Sequence, residues 1–442
     1  MAIISPFKAL RYHPARVPDL SSVVAPPYDV ISPEAREALC ARSEYNAVRL
    51  ILPVEEARER GLEGATERKG EDKYVLAARD LAAWRREGVL AQDAEPGLYL
   101  AEDRYRVREA SGREVERRRL GLICLVRIED YEARVVLPHE RTLAAPRDDR
   151  LRLMQAVSAH LSQVFMLMPD SDGRFAELCA KAAGAEPLAE FENGEARHRL
   201  LRVDTGTARD FQEAMRDRPL LIADGHHRYE TARAYRDLMR ETHGSSGDRP
   251  WDHVMVLIAS MDDPGTTVLG YHRVVRETGI TPAALRDRLG RTFDLKKVGG
   301  VADGDAPVKL LSAMAGAESE GKTAFGVALG GEANLYLTTR ARNPAASPLA
   351  RLDVSILHGE IFEMMLGMTE EDFKQQRRID YTADPEKAIS MVRGGSHAAA
   401  FLLNPTPPAE VLAVAQAGHV MPQKSTYFYP KLLTGLTFHA MD

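Results

Sequence analysis

The chain reads as a mixed α/β protein, with mixed sheets flanked by helices. Three observations predict this class. Strand-like and helix-like patterns alternate along its 442 residues. The hydrophobic share is 44 %, enough for a sizeable core. No segment shows an internal repeat of solenoid or propeller length.

In chain order, Ser32-Pro33 starts a helix, with Ser at the cap and Pro at the first position. Glu55 to Glu71 is charged, contains glycine and reads as a surface loop or linker. Residues 71–90 form a helix with an apolar stripe through Val75, Ala78, Leu81, Ala82 and Leu90, ended by Gly88. Residues 97–128 form a hairpin that turns at Ser111-Gly112, and its second arm becomes wholly apolar at 120–126. Asp148-Asp149 open a helix to about His160. Strands are expected at 163–168, 197–203, 219–223, 253–260, 323–329, 333–338 and 398–403. Helices are expected at 173–184, 207–217, 229–242, 281–291, 306–316, 353–367, 386–393 and 408–417. His243 to Asp248 is a short loop. The whole chain, 1–442, is expected to act as one unit, with a lobe over about 1–130 and another over 131–442.

Lys+Arg 59 against Asp+Glu 65 leaves a formal net charge of -6, which argues against a nucleic-acid partner. Cys40, Cys124 and Cys179 are scattered without a C-x-x-C pair, as expected of reduced core residues rather than a disulfide framework. No run reaches the roughly 18 apolar residues of a membrane span. The start of the chain lacks the charged and apolar regions of a signal peptide, so a cytoplasmic location is expected.

Chemistry concentrates in five blocks. Asp224-Gly225-His226-His227-Arg228-Tyr229-Glu230 follows the apolar Leu220-Leu221-Ile222-Ala223 and precedes a helical period, so it reads as strand, sharp turn and helix start. The first N–H groups of a helix are unpaired and its dipole favours an anion there. Two histidines and an arginine at that spot are poor for stability unless an anion compensates, and Arg228 offers a planar fork for phosphate or carboxylate.

Tyr28-Asp29 follow a stiff Pro26-Pro27, which would hold Asp29 toward a site. His139-Glu140-Arg141-Thr142 forms a polar loop after a strand. Leu143 stands where a second zinc-ligating His would be needed, which disfavours a zinc protease. Glu140 suits a general base or a magnesium ligand. Gly418 to Thr426 has the outline of a Walker loop but carries Gln423 where Gly is needed, and Pro422 removes an N–H. Lys424 and Lys431 remain candidates to reach an anion. His272-Arg273 lies on an apolar strand, where a buried charge needs a partner.

Together, Ala25-Pro26-Pro27-Tyr28-Asp29-Val30, His139-Glu140-x-Thr142, Asp224 to Glu230, His272-Arg273 and Met421-Pro422-x-Lys424 to Lys431 resemble the family catalogued as domain of unknown function 1015. The blocks are spread over nearly the full length. Gly270-Tyr271 departs from the Pro-containing pair usual in that family. More locally, Asp224-Gly225-His226-His227-Arg228 looks like the D-G-x-H-R motif of the ParB/sulfiredoxin superfamily, which includes nucleotide-binding partition proteins, sulfiredoxin and free-serine kinases. There the motif lies at a helix start and holds nucleotide phosphates. His226 stands where sulfiredoxin carries Cys, so sulfinic-acid reduction is not implied.

These resemblances imply an ATP- or ADP-dependent phosphotransferase acting on a small hydroxyl metabolite, with free L-serine the leading candidate and a homo-oligomer compatible. In that reading Glu140 or Asp224 takes the hydroxyl proton, with His227 as a further catalytic group. Gly225, His226, Arg228, Lys424, Ser425 and Thr426 hold the nucleotide. Tyr28, Asp29, His139, Thr142, His272, Arg273 and Lys431 face the substrate, and Asp29 holds Mg2+. A nucleotide-binding regulatory protein and a hydrolase of phosphorylated metabolites are the alternatives.

Overall fold

The computed structural model describes residues 2–54, 72–142 and 144–442. The charged stretch 55–71 lies outside the described residues. Two sheets share a continuous core. The larger runs in the order Val136–Leu137, Leu220–Asp224, Val164–Met168, His253–Ser260, Glu114–Arg127, Tyr99–Arg108, Ala196–Arg202, Pro187–Asn193, with Ile4–Ser5 pairing the far end of Glu114–Arg127. It is mixed: Leu220–Asp224 runs parallel to Val136–Leu137 and antiparallel to Val164–Met168. This sheet takes strands from both sides of residue 130.

The period-two alternation of Glu114–Arg127 shows how one strand serves two layers. Leu122, Cys124 and Val126 pack with Phe175, Phe211 and Tyr229 of the helices on one face. Ile123 and Leu125 point the other way and join Phe325 and Phe401 of the second sheet. That second sheet is antiparallel throughout, ordered Asp294–Gly300, Asn334–Ala341, Lys322–Leu329, Ala399–Leu403, His272–Val275, Ile379–Thr382. A smaller helical layer, Pro33–Arg42, Val48–Ile51 and Lys73–Arg86, packs through Leu39, Leu81 and Trp84 on Leu153 and Val157.

The C-terminal segment ties these parts together. Tyr427–Tyr429 pairs with Thr267–Leu269, and His439–Ala440 with Ala159–His160. Crossing from the second sheet back to the first, it carries Lys424 and Lys431 past the end of Leu220–Asp224.

Several boundaries differ from the sequence reading. The helix expected from Asp148 begins at Ala144, with Pro146 inside its first turn, where the missing N–H costs nothing. The helix expected at 229–242 runs His226–His243. Residues 353–367 are not one α-helix: Asp353–Ile356 is α-helical and Leu357–Met365 is π-helical. Several short strands were not anticipated, and neither were the longer Pro187–Asn193, Asp294–Gly300 and Ile379–Thr382. These three longer strands lie at sheet edges, where a polar sequence carries no clear apolar alternation. Cys124 and Cys179 are buried free thiols and Cys40 is a half-buried one. Among the described residues no helix is long and apolar enough to cross a membrane.

Candidate functional site

Leu220–Asp224 ends at the sheet's rim. Gly225 then turns the chain at φ 89°, a left-handed conformation that suits glycine. The helix His226–His243 begins there, and no side chain caps it. A Cβ on Gly225 would lie 2.7 Å from Arg228 Nε, so the turn and the arginine are packed as one piece.

A cleft of about 260 Å³ opens over this helix start. It brings together Tyr28, Asp29, Glu140, the Asp224 to Arg228 turn, Lys424, Thr426 and Lys431. Four of the five sequence blocks thus contribute directly. The fifth enters through Tyr271 rather than His272 or Arg273.

Asp224 is the electrostatic hub. Its carboxylate accepts from Arg228 Nη2 at 3.0 Å and from Lys431 Nζ at 3.2 Å. Burial works to raise its pKa, but Lys431 and Arg228 outweigh burial and hold the carboxyl below its ordinary value. Lys431 responds in kind: burial would lower it, yet Asp224 raises it, and its ammonium rests over the Tyr427 ring at 4.6 Å.

Arg228 corrects one expectation. Its charge at the helix start is compensated within the fold, by Asp224 four residues earlier and by the Gln163 carbonyl, which its Nη1 also meets. A bound anion is therefore not required to explain this arginine.

Glu140 behaves oppositely to Asp224. Burial raises its pKa from 4.5 to about 7, Asp224 adds to the rise, and Lys424, Lys431 and the Ser425 N–H oppose it. It keeps part of its surface open to the cleft. Lys424 sits at φ 59°, a strained conformation for a residue with a side chain, and its ammonium lies 5.9 Å from the Tyr271 ring centre.

His139 does not face the cleft. It is fully buried and staples three blocks together. Its Nδ1 meets the Ile222 carbonyl at 2.7 Å, its Nε2 meets Thr426 Oγ1 at 3.2 Å, and its backbone N–H donates to His226 Nε2 at 3.2 Å. Burial lowers the pKa of His139 to about 4 and takes His226 well below 6.5, so both rings are neutral. His227 is half-buried and lines the cleft. Burial lowers its pKa, Asp29 raises it and Lys424 lowers it.

The remaining candidates scatter. Ser425 is buried and its hydroxyl donates to the Pro422 carbonyl. His272 is buried and accepts from the Leu403 N–H at 3.2 Å. Arg273 is buried and, among the described residues, has no carboxylate contact; it donates to the carbonyls of Tyr271 and Gln423, and burial lowers its pKa to about 10. Thr142 faces a neighbouring cavity instead. Asp29 is exposed on the turn Tyr28–Val30, and among the described residues no group of three or more His, Cys, Asp or Glu is arranged to hold a metal. Tyr28 itself lies under the Arg150 guanidinium, 4.3 Å away. Arg150 in turn bonds Asp149, whose carboxylate takes Lys73 at 2.6 Å. Tyr28 and Arg228 also border a small, mostly apolar recess walled by Leu153, Val157 and Thr231.

The sequence reading missed Tyr271, Gln376, Gln423 and Tyr427 as cleft residues. Tyr271 and Tyr427 had a signal, since each adjoins a chosen residue and their rings meet at 5.3 Å. Gln376 carried none.

A family model described as "Protein of unknown function (DUF1015)" matches residues 4–355. The chain belongs to this family. No functionally curated protein matches the chain in sequence. Among solved structures, a conserved hypothetical protein from Pyrococcus furiosus is similar at 14 % identity, over 67 % of this chain and 89 % of that one, with a TM-score of 0.32. A free serine kinase in complex with AMP is similar at 14 % identity, over 66 % and 83 %, with a TM-score of 0.32. SbnI from Staphylococcus aureus is similar at 9 % identity, over 71 % and 85 %, with a TM-score of 0.31.

Proposed function

We propose that the cleft is the phosphoryl-transfer site of a nucleotide-dependent phosphotransferase acting on a hydroxyl-bearing metabolite, with ATP or ADP as donor. The observation that carries this reading is the pair of carboxyls with opposite pKa shifts beside an uncapped helix start. Asp224 is held ionised by two cations, and Glu140 is raised to about 7. A general base works best with a pKa near the working pH, so Glu140 is favoured over Asp224 for that role.

The donor phosphates would meet the N–H groups at His226 to Arg228, with Lys424 and Lys431 adding charge. Glu140 accepts the proton of the acceptor hydroxyl. The hydroxyl oxygen forms a bond to the terminal phosphorus as the bridging P–O bond breaks, and that electron pair leaves with the shortened nucleotide. Magnesium characteristically binds through one or two carboxylates plus substrate phosphates, so the lone Asp29 fits such an ion without a dedicated protein cage. The D-G-H-H-R turn is read here as the phosphate-binding turn of the ParB/sulfiredoxin type.

The test is a panel of ATP, ADP and CTP with hydroxyl acceptors, L-serine among them, followed by phosphorus NMR. Transfer to an acceptor supports the reading. Nucleotide binding without turnover favours a regulatory protein, and release of inorganic phosphate from a phosphorylated metabolite favours a hydrolase.

A further inference from the structure

Lys431 reaches Asp224 from a stretch of chain with few backbone ties. Its ammonium gives Asp224 a hydrogen bond at 3.2 Å, yet the strand Tyr427–Tyr429 ends two residues earlier and the next backbone pairing comes at Thr434. Pro430 between them has no N–H to donate. Among the described residues one hydrogen bond reaches the backbone of residues 430–433: Arg119 Nη1 donates to the Pro430 carbonyl at 2.7 Å. Leu432 and Leu433 pack into the core beyond it, but apolar burial is non-directional and does not aim the lysine.

Arg119 is 2 % exposed. A buried guanidinium is costly unless it is paired and hydrogen-bonded. Three strands supply the pairing in one cross-strand line. His198, Asp103 and Arg119 are successive register partners on Ala196–Arg202, Tyr99–Arg108 and Glu114–Arg127. His198 Nδ1 meets Asp103 Oδ1 at 2.7 Å, and Asp103 Oδ2 accepts from Arg119 Nε at 3.0 Å and Nη2 at 2.6 Å. Two nitrogens on one carboxylate fix the plane of the fork and leave Nη1 for Pro430. Burial works to raise the Asp103 carboxyl, but Arg119 and His198 outweigh it and bring it to about 2. Buried ion pairs are often replaceable by apolar side chains without loss of stability, so stability alone does not account for this one.

The same guanidinium touches the other half of the Lys431–Asp224 contact. It lies over the Phe165 ring at 5.1 Å, and Phe165 is the register partner of Asp224. Phe165 in turn meets Phe428 edge-on at 5.7 Å. Arg119 therefore bridges the strand beside Asp224 and the segment that carries Lys431.

We propose that Arg119 is a positioning residue for the phosphate site: held by Asp103 and His198, it fixes the Pro430 carbonyl and so sets where the Lys431 ammonium stands against Asp224. The word phosphate rests on the phosphotransfer reading, while the placement of Lys431 stands on the contacts themselves. None of the three residues lines the cleft, so they act on a ligand only through Lys431.

The experiment is a double-mutant cycle on the full chain, read by calorimetry with ADP and by NMR of protein whose lysines carry carbon-13 at Cε. Arg119→Lys keeps a charge for Asp103 but lacks the fork that reaches Asp103 and Pro430 together. The Lys431 Cε signal is assigned by its loss in Lys431→Met. Arg119→Lys should shift that signal in the absence of ligand and weaken ADP binding about tenfold, the effect of losing one charge-assisted contact. On a Lys431→Met background it should weaken ADP by less than about twofold, because the residue through which it acts is already gone. A merely structural Arg119 would cost the same on both backgrounds. An unmoved Lys431 signal in a folded Arg119→Lys overturns the proposal. So does an ADP loss that persists undiminished on the Lys431→Met background, or an ADP affinity within about twofold of wild type where Lys431→Met itself weakens binding. Should ADP not bind the wild type, or bind it independently of Lys431, the phosphotransfer reading falls alone and the Lys431 signal decides the placement. Should Arg119→Lys misfold, Arg119→Met paired with Asp103→Asn removes both charges at once and is read in the same way.

Discussion

Replacing Glu140 with Gln separates two consequences of one buried carboxyl. In the folded protein its pKa rises from 4.5 to about 7. Between those values the native state keeps a proton that the unfolded chain has lost. The stability contribution is therefore complete below pH 4.5 and declines as pH rises to about 7. At 1.36 kcal/mol per pH unit the full loss is roughly 3 kcal/mol. Because the carboxyl is partly open to the cleft, about 1–3 kcal/mol is the working range. Gln never ionises, so Glu140→Gln should match the wild type near pH 4.5 and exceed its stability by that amount at pH 8. Catalysis moves the other way. About half of Glu140 is ionised at pH 7 and about a tenth at pH 6. Turnover should rise over that interval and drop about 10²–10⁴-fold in the variant, with nucleotide affinity little changed. Urea unfolding at several pH values reads the first effect, and a coupled kinase assay reads the second. A stability difference that is the same at pH 5 and pH 8, or a rate within about twofold of wild type, refutes the role given to Glu140.

Asp224→Asn should behave in the reverse sense. Its lowered carboxyl contributes stability above the unfolded pKa that is lost as pH falls through the folded value, so the variant should lose about 1–3 kcal/mol at pH 7 and little at pH 2 in urea unfolding. Gly225→Ala forces a side chain into φ 89° and a Cβ to 2.7 Å from Arg228 Nε, so thermal unfolding should show a cost of about 1–3 kcal/mol. Arg228→Ala should weaken nucleotide binding in calorimetry, and because Asp224 and the Gln163 carbonyl lose their donor, it should also destabilise the fold. Lys431→Met should weaken ADP binding at least tenfold and flatten its salt dependence, while unchanged affinity would remove Lys431 from the phosphate site.

The strand–turn–helix at 220–243 was legible because an unbroken apolar run, an Asp-Gly turn and a 3.6-residue period leave few alternatives. The hairpin about Gly112 was legible for the same reason, its φ of 82° being that of a glycine turn. Convergence of the blocks on one cleft followed from their shared mixture of polar groups and stiff backbone. What each residue does there was less legible. His139 and His226 look like site histidines in the sequence, yet a histidine that staples two loops has the same local pattern as one that faces a ligand. The difference is the Ile222 carbonyl 83 residues away, which no local window contains. Arg228 misled similarly, since its partner Asp224 was read as a proton acceptor rather than a counter-charge. The neighbouring cavity that Thr142 faces was invisible, since one of its walls depends on where the 353–367 segment changes helical type.

The cleft's charge balance explains why two carboxyls so close together keep different states. Arg141, Arg228, Lys424 and Lys431 supply four positive charges to its lining, against Asp29, Asp224 and Glu140. Arg228 and Lys431 contact Asp224, so the first negative charge is strongly stabilised. At Glu140 desolvation, with the repulsion of Asp224, outweighs Lys424, Lys431 and the Ser425 N–H, and its proton is retained to about pH 7. With Glu140 neutral the lining is more positive and holds phosphate better. With Glu140 ionised it is less positive but able to take a proton. Donor binding and proton removal thus pull in opposite directions on a single carboxyl.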